Sequence, residues 1–508
     1  MLEGAAAPPS TPTPPMAPPN ILLILTDQQR TDSLGCYGGR HVPTPHLDAL
    51  AAGGTVFERC YVNSPICTPS RACLWTGKTV FGHGVQALHD VLPAGEALFP
   101  VHLQAAGYTT ALFGKLHVSA RLVDANERHP QAGFDVYESA LSPYNHDCRY
   151  HAYRDWLRER DPRFLRRLAE EGSDIGPIPE AVHYSTWVTE RVENFVGQQT
   201  GARPFFCCAS FVDPHDPYDD HPPGWPERVA LGDLTRVERP GGDGDRPAGV
   251  RREEAEGALG SVDEYTDEEI VHMRRSYYAS VGFLDACIGR ILGALQRRGV
   301  RERTLILFAS DHGDMLGQRR LLGKGAHFYE PCARVPLLLW EPGGRRGAAR
   351  SPALVQPHDL AATALHAAGY SADWIRARMP AAIPLQRGTG HECVFGVYRN
   401  SGINRQKTFW DPPIHCTMVR DARYKLTAYH DAPPAVAGPG ELYDLARDPG
   451  ETRNLWAKPA GAAPRAALLA RLESWLAQEE KAGAGGRGGR VFPPPEHWLR
   501  NNPIHRAR

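Results

Sequence analysis

Asn20-Ile21-Leu22-Leu23-Ile24-Leu25-Thr26-Asp27 is a short apolar run of strand length that closes on a carboxylate. Three later runs share that form. Thr109 to Phe113 leads into Gly114-Lys115-Leu116-His117, Pro204 to Val212 into Asp213-Pro214-His215, and Thr304 to Ser310 into Asp311-His312-Gly313. Helical spacing lies between them. Pro45 to Gly53 carries Leu47 and Leu50 with Gly53-Gly54 as its stop, and a long helix is predicted from the capping box Thr266-Asp267-Glu268-Glu269 to about Arg298. Ile270, Met273, Tyr277, Val281, Leu284, Ile288 and Leu292 share one face of that helix. Buried runs alternating with helices predict an α/β fold, a largely parallel sheet with helices on both faces. Such sheets form their ligand crevice at the carboxyl ends of the strands, so Asp27, Lys115, His215, Asp311 and His312 are expected to converge.

The chain has 508 residues, more than one core usually supports, which predicts a large domain plus a smaller one. Lys+Arg number 57 against 58 for Asp+Glu, and this near-neutral balance gives no electrostatic footprint for nucleic acid or for an anionic membrane. Residues 1–19 are mostly Pro, Ala, Ser and Thr and read as a disordered leader; the apolar run Ile21 to Leu25 is too short for a secretory signal. No stretch reads as a transmembrane span. Eleven cysteines without a CxxC pair are expected to stay reduced, and the expected compartment is the cytoplasm.

Residues 219–262, rich in Pro, Gly, Arg, Asp and Glu, read as a long surface insertion, either disordered or a cover for the site. After Gly369 the texture changes. Strand-like pieces at Cys393 to Tyr398, His415 to Arg420 and Tyr424 to Tyr429 precede a helical stretch, Arg465 to Gln478, with Leu468, Leu469, Leu472, Trp475 and Leu476 apolar. The expected organisation is a catalytic α/β domain over 20–385 and an α+β subdomain over 386–480. A flexible Gly/Arg-rich tail is expected over 481–508, with Trp498 as a residue able to dock it.

The strongest functional signal is Pro65-Ile66-Cys67-Thr68-Pro69-Ser70-Arg71-Ala72-Cys73-Leu74-Trp75-Thr76-Gly77. A cysteine followed by a turn-setting proline, with an arginine four positions on, suggests a side chain beside a guanidinium that receives an oxyanion bidentately. The whole string resembles the signature of the sulfatases, in the alkaline phosphatase superfamily. The resemblance implies an alkaline-phosphatase-like, mostly parallel sheet sandwiched by helices, with a smaller C-terminal antiparallel sheet plus helix. Leu442-Tyr443-Asp444-Leu445-Ala446-Arg447-Asp448-Pro449-Gly450-Glu451 is similar to a stretch of that subdomain. Gly107-Tyr108-Thr109-Thr110 through His117 resembles the second signature imperfectly, at Phe113 and Leu116.

What the resemblance implies about chemistry is specific. Cys67 is oxidised by a formylglycine-generating enzyme to Cα-formylglycine, whose hydrate is the nucleophile, and one divalent metal is held by Asp27, Gln28, Asp311, His312 and residue 67. Ca2+ is the first choice and Mn2+ the alternative. Arg71 holds the hydrate, Lys115 binds a non-bridging oxygen, and His117 is the base. His215 and Lys324 face the leaving group, with His215 the general acid and Lys324 the electrostatic clamp. One hydroxyl of the hydrate attacks sulfur in line; deprotonation of the other expels sulfate by C–O cleavage. The implied activity is that of a sulfuric ester hydrolase acting on a small-molecule sulfate ester. Gln28 and His312 depart from the commoner Asp-Asp and Asp-Asn pairs and resemble the phosphonate monoester hydrolase and choline-sulfatase branches. A phosphonate monoester or phosphodiester hydrolase is therefore the first alternative, and a non-catalytic anion-binding protein with unmodified Cys67 the second.

Overall fold

A computed structural model describes residues 18–483 except 145–147, 239–245, 344–348, 386–388, 402–403, 407–408 and 431–439. Most of the expected leader, the centre of the 219–262 stretch, and 484–508 with Trp498 lie outside the described residues.

The strands of the larger sheet are β1 (Asn20–Thr26), β2 (Thr55–Tyr61), β3 (Thr109–Gly114), β4 (Val136–Ser139), β5 (Phe205–Ser210), β6 (Thr304–Ser310), β7 (Arg334–Val335), β8 (Leu337–Trp340) and β9 (Ala349–Val355). Their order is β4-β3-β5-β1-β6-β8-β2-β7, with β9 also paired to β2. Pairing is parallel from β4 through β6 and between β2 and β9, and antiparallel where β8 and β7 join. β1 lies at the centre, in register with β5 on one side and β6 on the other.

Burial on both faces explains why β1 is apolar throughout. Ile21, Leu23 and Leu25 enter the core on one face and Leu22 and Ile24 the core on the other, all fully buried. The first core is closed by the helices Cys67–Thr76, Phe99–Ala105 and Asp359–Ala367, the second by Pro45–Ala52, Tyr184–Gln198 and Asp267–Arg297. Truncating Leu23 to Ala would open a cavity costing about 2–5 kcal/mol. The Asp267–Arg297 helix begins at the expected capping box: Glu269 N donates to Thr266 Oγ1 (3.2 Å) and Thr266 N to Glu269 Oε2 (2.7 Å). Contrary to the sequence expectation, it is long and apolar enough to cross a membrane by length and composition. Its most apolar window is 78% buried inside the protein, as befits a core helix.

The second sheet is antiparallel, β10 (Val394–Arg399), β11 (His415–Arg420), β12 (Tyr424–Tyr429) and β13 (Gly440–Asp444) in that order. One face, with Val394, Cys416, Met418 and Tyr443, joins the first core of the larger sheet. The other packs Val419, Leu426 and Leu442 against Leu468 and Leu472 of the Ala462–Gly483 helix, and Trp475 stacks on Phe395 with ring centroids 4.4 Å apart.

Two expectations of irregular chain need correction. Pro69 does not set a turn: it lies in the first turn of the Cys67–Thr76 helix, where a missing N–H costs no helical bond. Within 219–262, Ala248–Glu256 is a helix with Val250 and Glu253 buried. Glu253 Oε1 accepts from Ala326 N (2.7 Å), so this helix braces the loop that carries Lys324. Composition averaged over the whole stretch hid the helix formers at 251–254.

Candidate active site

The carboxyl ends of β1, β3, β5 and β6 bring together Asp27, Lys115, the Ser210 region and Asp311, as their parallel registers require. Backbone approach at these ends is tight. Gly114 sits at φ 108°, and a Cβ there would lie 1.8 Å from Ser210 O, so only glycine lets Lys115 N donate to that carbonyl (3.1 Å). A Cβ on Gly313 would lie 2.0 Å from Pro331 O. Gln28 (φ 66°) and His117 (φ 58°) adopt the left-handed region, which costs a non-glycine residue about 1 kcal/mol. Gln28 is held there by its N–H on Asp311 Oδ1 (3.1 Å) and by Tyr277 OH donating to its carbonyl (2.9 Å).

Cys67 opens its helix with Sγ buried between positive groups: Lys324 Nζ at 3.0 Å and His312 Nε2 at 3.2 Å. Burial alone would push this thiol up; the charges of Lys324, Lys115 and His312 outweigh it and hold the pKa well below the ordinary cysteine value. His312 Nδ1 lies 3.0 Å from Gly313 O, which fixes the ring, and Nε2 faces Cys67, Lys324 Nζ (3.2 Å) and, at 3.6 Å, Asp27 Oδ1.

Arg71 corrects the sequence reading. It is fully buried, and its guanidinium is engaged by protein oxygens: Nε on Asp311 Oδ2 (2.7 Å), Nη1 on Lys115 O (2.9 Å) and Ser210 Oγ (3.0 Å), Nη2 on Asp27 Oδ2 (3.1 Å). No fork remains to receive an anion bidentately. Arg71 instead clamps the two strand-end carboxylates together, and its charge acts on residue 67 through space. Lys115 Nζ adds a 2.6 Å contact to Asp27 Oδ2. Burial would raise the Asp27 pKa, but Lys115, His215 and Arg71 hold it well below the usual carboxylate range.

Asp27 Oδ1 is buried with no hydrogen-bond partner, an acceptor that an ordinary protein interior would satisfy. Ligand atoms of Asp27, Cys67, Asp311 and His312 all lie within 4.8 Å of one another. Two carboxylates, an imidazole nitrogen and the orphaned oxygen fit a divalent cation. Gln28 offers its amide oxygen at the edge of this group, where it accepts from Lys324 Nζ (3.0 Å).

His117 Nε2 lies 3.2 Å from Thr68 Oγ1, its Nδ1 is buried without a partner, and burial and then Lys115 lower its pKa to about 4. It is therefore neutral near pH 7 and competent as a base toward residue 67. His215 sits at the mouth with its side chain 21% exposed, Nδ1 2.6 Å from Asp216 O and Nε2 2.8 Å from Lys324 Nζ. Every residue expected at the site is thus present in one cluster.

Sequence reasoning missed the residues that orient it. Gln28 Nε2 donates to Asp216 Oδ1 (3.2 Å) and Asp314 Oδ2 (2.5 Å), so two carboxylates specify an amide, not a carboxylate, at position 28. Both neighbours were adjacent to noted residues, in His215-Asp216 and Asp311-His312-Gly313-Asp314. Tyr277 was assigned to the apolar face of its helix, yet its hydroxyl also accepts from Arg30 N (2.8 Å). Ser70 Oγ donates to Asp311 O (2.6 Å) and ties the Cys67 helix to β6.

Comparison with known proteins agrees with this geometry. The family model described as sulfatase matches residues 19–370, and that of the N-sulphoglucosamine sulphohydrolase C-terminal region matches 318–478. An arylsulfatase of Clostridium perfringens is 29% identical over 86% of this chain and 90% of its own length. A choline-sulfatase of Rhizobium meliloti is 28% identical over 89% and 85%. A phosphonate monoester hydrolase of Silicibacter pomeroyi shares the fold at a TM-score of 0.72 with 23% identity, covering 92% of this chain and 96% of that one. With a family model spanning most of its length and the signature cysteine inside the cluster that the strands build, the chain belongs to the sulfatase family.

Proposed function

We propose that this sulfuric ester hydrolase cleaves the sulfate ester of a small organic or sugar-like alcohol to the alcohol and inorganic sulfate. Cys67 would first be converted to formylglycine by a formylglycine-generating enzyme. The observation that carries the proposal is the placement of residue 67 at a helix start, within 3.0 Å of Lys324 Nζ and 3.2 Å of His312 Nε2, beside the unpartnered Asp27 Oδ1. The hydrate of residue 67 would supply the nucleophilic oxygen. A divalent ion, Ca2+ by preference, would be held by Asp27, Gln28, Asp311 and His312 and would favour the ionised nucleophile and polarise a substrate oxygen.

The remaining chemistry falls to this chain's own side chains. Arg71 and Lys115 fix the Asp27 carboxylate through Oδ2, which leaves Oδ1 directed at the reaction centre. Lys115 and Lys324 provide fixed positive charge for the three non-bridging oxygens as negative charge develops on them. Neutral His117 accepts the proton released at residue 67. His215 delivers a proton to the leaving oxygen from Nε2, its ring held by the contact of Nδ1 with Asp216 O. Lys324, whose pKa is raised by Cys67 and Asp27 against the effect of burial, stays charged and serves as the clamp.

Phosphonate monoesters are the second substrate class to test, on one observation: the neutral Gln28 oxygen faces Lys324 where a carboxylate would add negative charge. We further propose a cytoplasmic location, on the expectation that the cysteines other than Cys67 stay reduced. The deciding experiment uses protein from a host with formylglycine-generating activity. Peptide mass spectrometry should show the aldehyde or its hydrate at position 67, and kcat/KM should favour an aryl sulfate over an aryl phosphonate monoester. Full activity with an intact Cys67 thiol would overturn the mechanism, and the reverse substrate preference would move the protein to the second class.

A further inference from the structure

A cavity of about 300 Å³ opens where the two sheets meet; no residue of the catalytic cluster lines it, and four arginines do. Arg59 on β2, Arg334 on β7, Arg350 on β9 and Arg420 on β11 face two carboxylates, Glu58 and Glu330. Four guanidiniums against two carboxylates leave an excess of two positive charges. The carboxylates are also committed elsewhere. Glu58 is paired with Arg350 Nε (2.7 Å), and Glu330 accepts from Lys425 Nζ (2.8 Å) and Tyr61 OH (2.9 Å), with Arg334 Nη1 only at 3.5 Å.

Two of the arginines carry buried donors that nothing satisfies. Arg420 is 4% exposed, lies over the Tyr61 ring at 4.9 Å and makes no ion pair with the described residues; its Nε has no hydrogen-bond partner. Arg334 Nε is likewise buried and unpartnered. Arg59, half-buried, pairs with no carboxylate of the described residues. A buried charged donor without an acceptor is costly, and two of them beside one cavity are the complement of an anion.

We propose that this cavity is a second oxyanion site, distinct from the catalytic one, that takes the tetrahedral sulfate or phosphate group of a small molecule, free or as an ester. Planar guanidiniums match such a group bidentately, and the volume falls at the low end of small-ligand sites, enough for the charged group and a short alcohol. Because β2, β7 and β9 belong to the larger sheet and β11 to the smaller, the bound anion joins the two sheets and stabilises their junction. The consequence is thermodynamic and does not require turnover.

The test is titration calorimetry of the metal-loaded enzyme with inorganic phosphate, inorganic sulfate and glucose 6-phosphate at fixed ionic strength, with thermal unfolding alongside. Crystals grown without either ion and soaked in selenate locate the site by anomalous scattering. Selenium is expected between Arg334 and Arg420, and Arg420→Gln should weaken the binding about tenfold or more while kcat/KM on an aryl sulfate stays within about twofold. Arg59→Gln, a change at a half-buried side chain, should weaken it in the same direction and guards against misfolding of the first variant. Tighter binding of glucose 6-phosphate than of the inorganic ions assigns the site to an ester, and equal binding to the free oxyanion. Selenium at the catalytic cluster alone, or unaltered anion binding in both folded variants, would overturn the proposal.

Discussion

Among the described residues, two groups of side chains have the composition of a metal site. Asp27, Cys67, Asp311 and His312 form one, and His358, Asp359 and His391 the other, each with candidate ligand atoms within 4.8 Å of one another. Their hydrogen bonding differs. Asp359 Oδ2 accepts from Gln356 N (2.9 Å) and His391 Nε2 (3.0 Å), and Oδ1 from Ile383 N (2.9 Å) and His391 Nε2 (3.1 Å). His358 Nε2 is occupied by Ala381 O (3.1 Å) and its Nδ1 by Asn63 Nδ2 (2.7 Å). In the first group Asp27 Oδ1 has no hydrogen-bond partner, and His312 Nε2 faces only Cys67 Sγ (3.2 Å) and Lys324 Nζ (3.2 Å), with no backbone group on it. Residue type nominates both groups; the unsatisfied acceptor separates a site from a structural ion pair.

The largest expected effect breaks the comparison most directly. Asp27→Asn removes the anionic ligand that Arg71 and Lys115 position and should lower kcat/KM at least about a thousandfold, with loss of bound metal measured by elemental analysis. His391→Gln should keep stoichiometric metal and kcat/KM within about twofold. Metal loss in the second variant with retention in the first would reverse the assignment.

His215 extends the first group to its solvent edge, and its variant should lose less. His215→Ala is expected to slow alkyl sulfates by about 10²–10⁴, and nitrophenyl sulfates far less, because a good leaving group needs no proton. Equal losses on both would make His215 a positioning residue for Lys324, 2.8 Å away.

A smaller effect belongs to Gln28. Gln28→Asp adds a carboxylate near the bound oxyanion and, one methylene shorter, gives up the amide donor to Asp216 and Asp314. The kcat/KM ratio of a singly charged sulfate ester to a doubly charged phosphate monoester should rise about tenfold at fixed salt and full metal occupancy. An unchanged ratio would mean that this amide serves only to hold its two carboxylate neighbours apart.

Much of this contrast was written locally in the sequence. β1, β3, β5 and β6 were legible because strands buried on both faces are continuous apolar runs, and each announced its site residue by ending in a polar one. β2 was not, because Thr55-Val56-Phe57-Glu58-Arg59-Cys60-Tyr61 interrupts its run with the two charged residues that face the arginine-rich cavity. The short β4, β7 and β8 carry too few residues for a period to show. Site membership was readable from motifs, but the job of Arg71 was not. Whether a guanidinium meets substrate or protein depends on Asp27, Lys115, Ser210 and Asp311, which only the folded sheet brings to it. The same holds for Asp359, whose backbone partners Gln356 and Ile383 settle its role.

The smallest expected effect concerns that second group and sharpens the comparison through pH. Burial would lower the His391 pKa, but the Asp359 carboxylate outweighs it and raises it above the ordinary histidine value; His391 in turn helps hold Asp359 well below the usual carboxylate range. A raised histidine pKa contributes stability that is fully present below the unfolded value, about 6.5, and is lost as pH rises through the folded value. The depressed carboxylate works in the other direction, its contribution being present above about pH 4 and lost only as pH falls through the still lower folded value. Between these limits the ion pair is intact. His391→Gln should therefore cost about 1–2 kcal/mol of unfolding free energy near pH 5.5, and the difference from the parent should shrink as the pH is raised through the folded histidine's pKa, above about 6.5. Denaturant unfolding of both proteins across pH 5 to 9, at constant ionic strength and with metal present, measures it. A stability difference that does not vary with pH would mean that His391 acts as a neutral hydrogen-bond donor, whereas one abolished by added Zn2+ together with a change in metal content would make the second group a true cation site and erase the distinction drawn between the two.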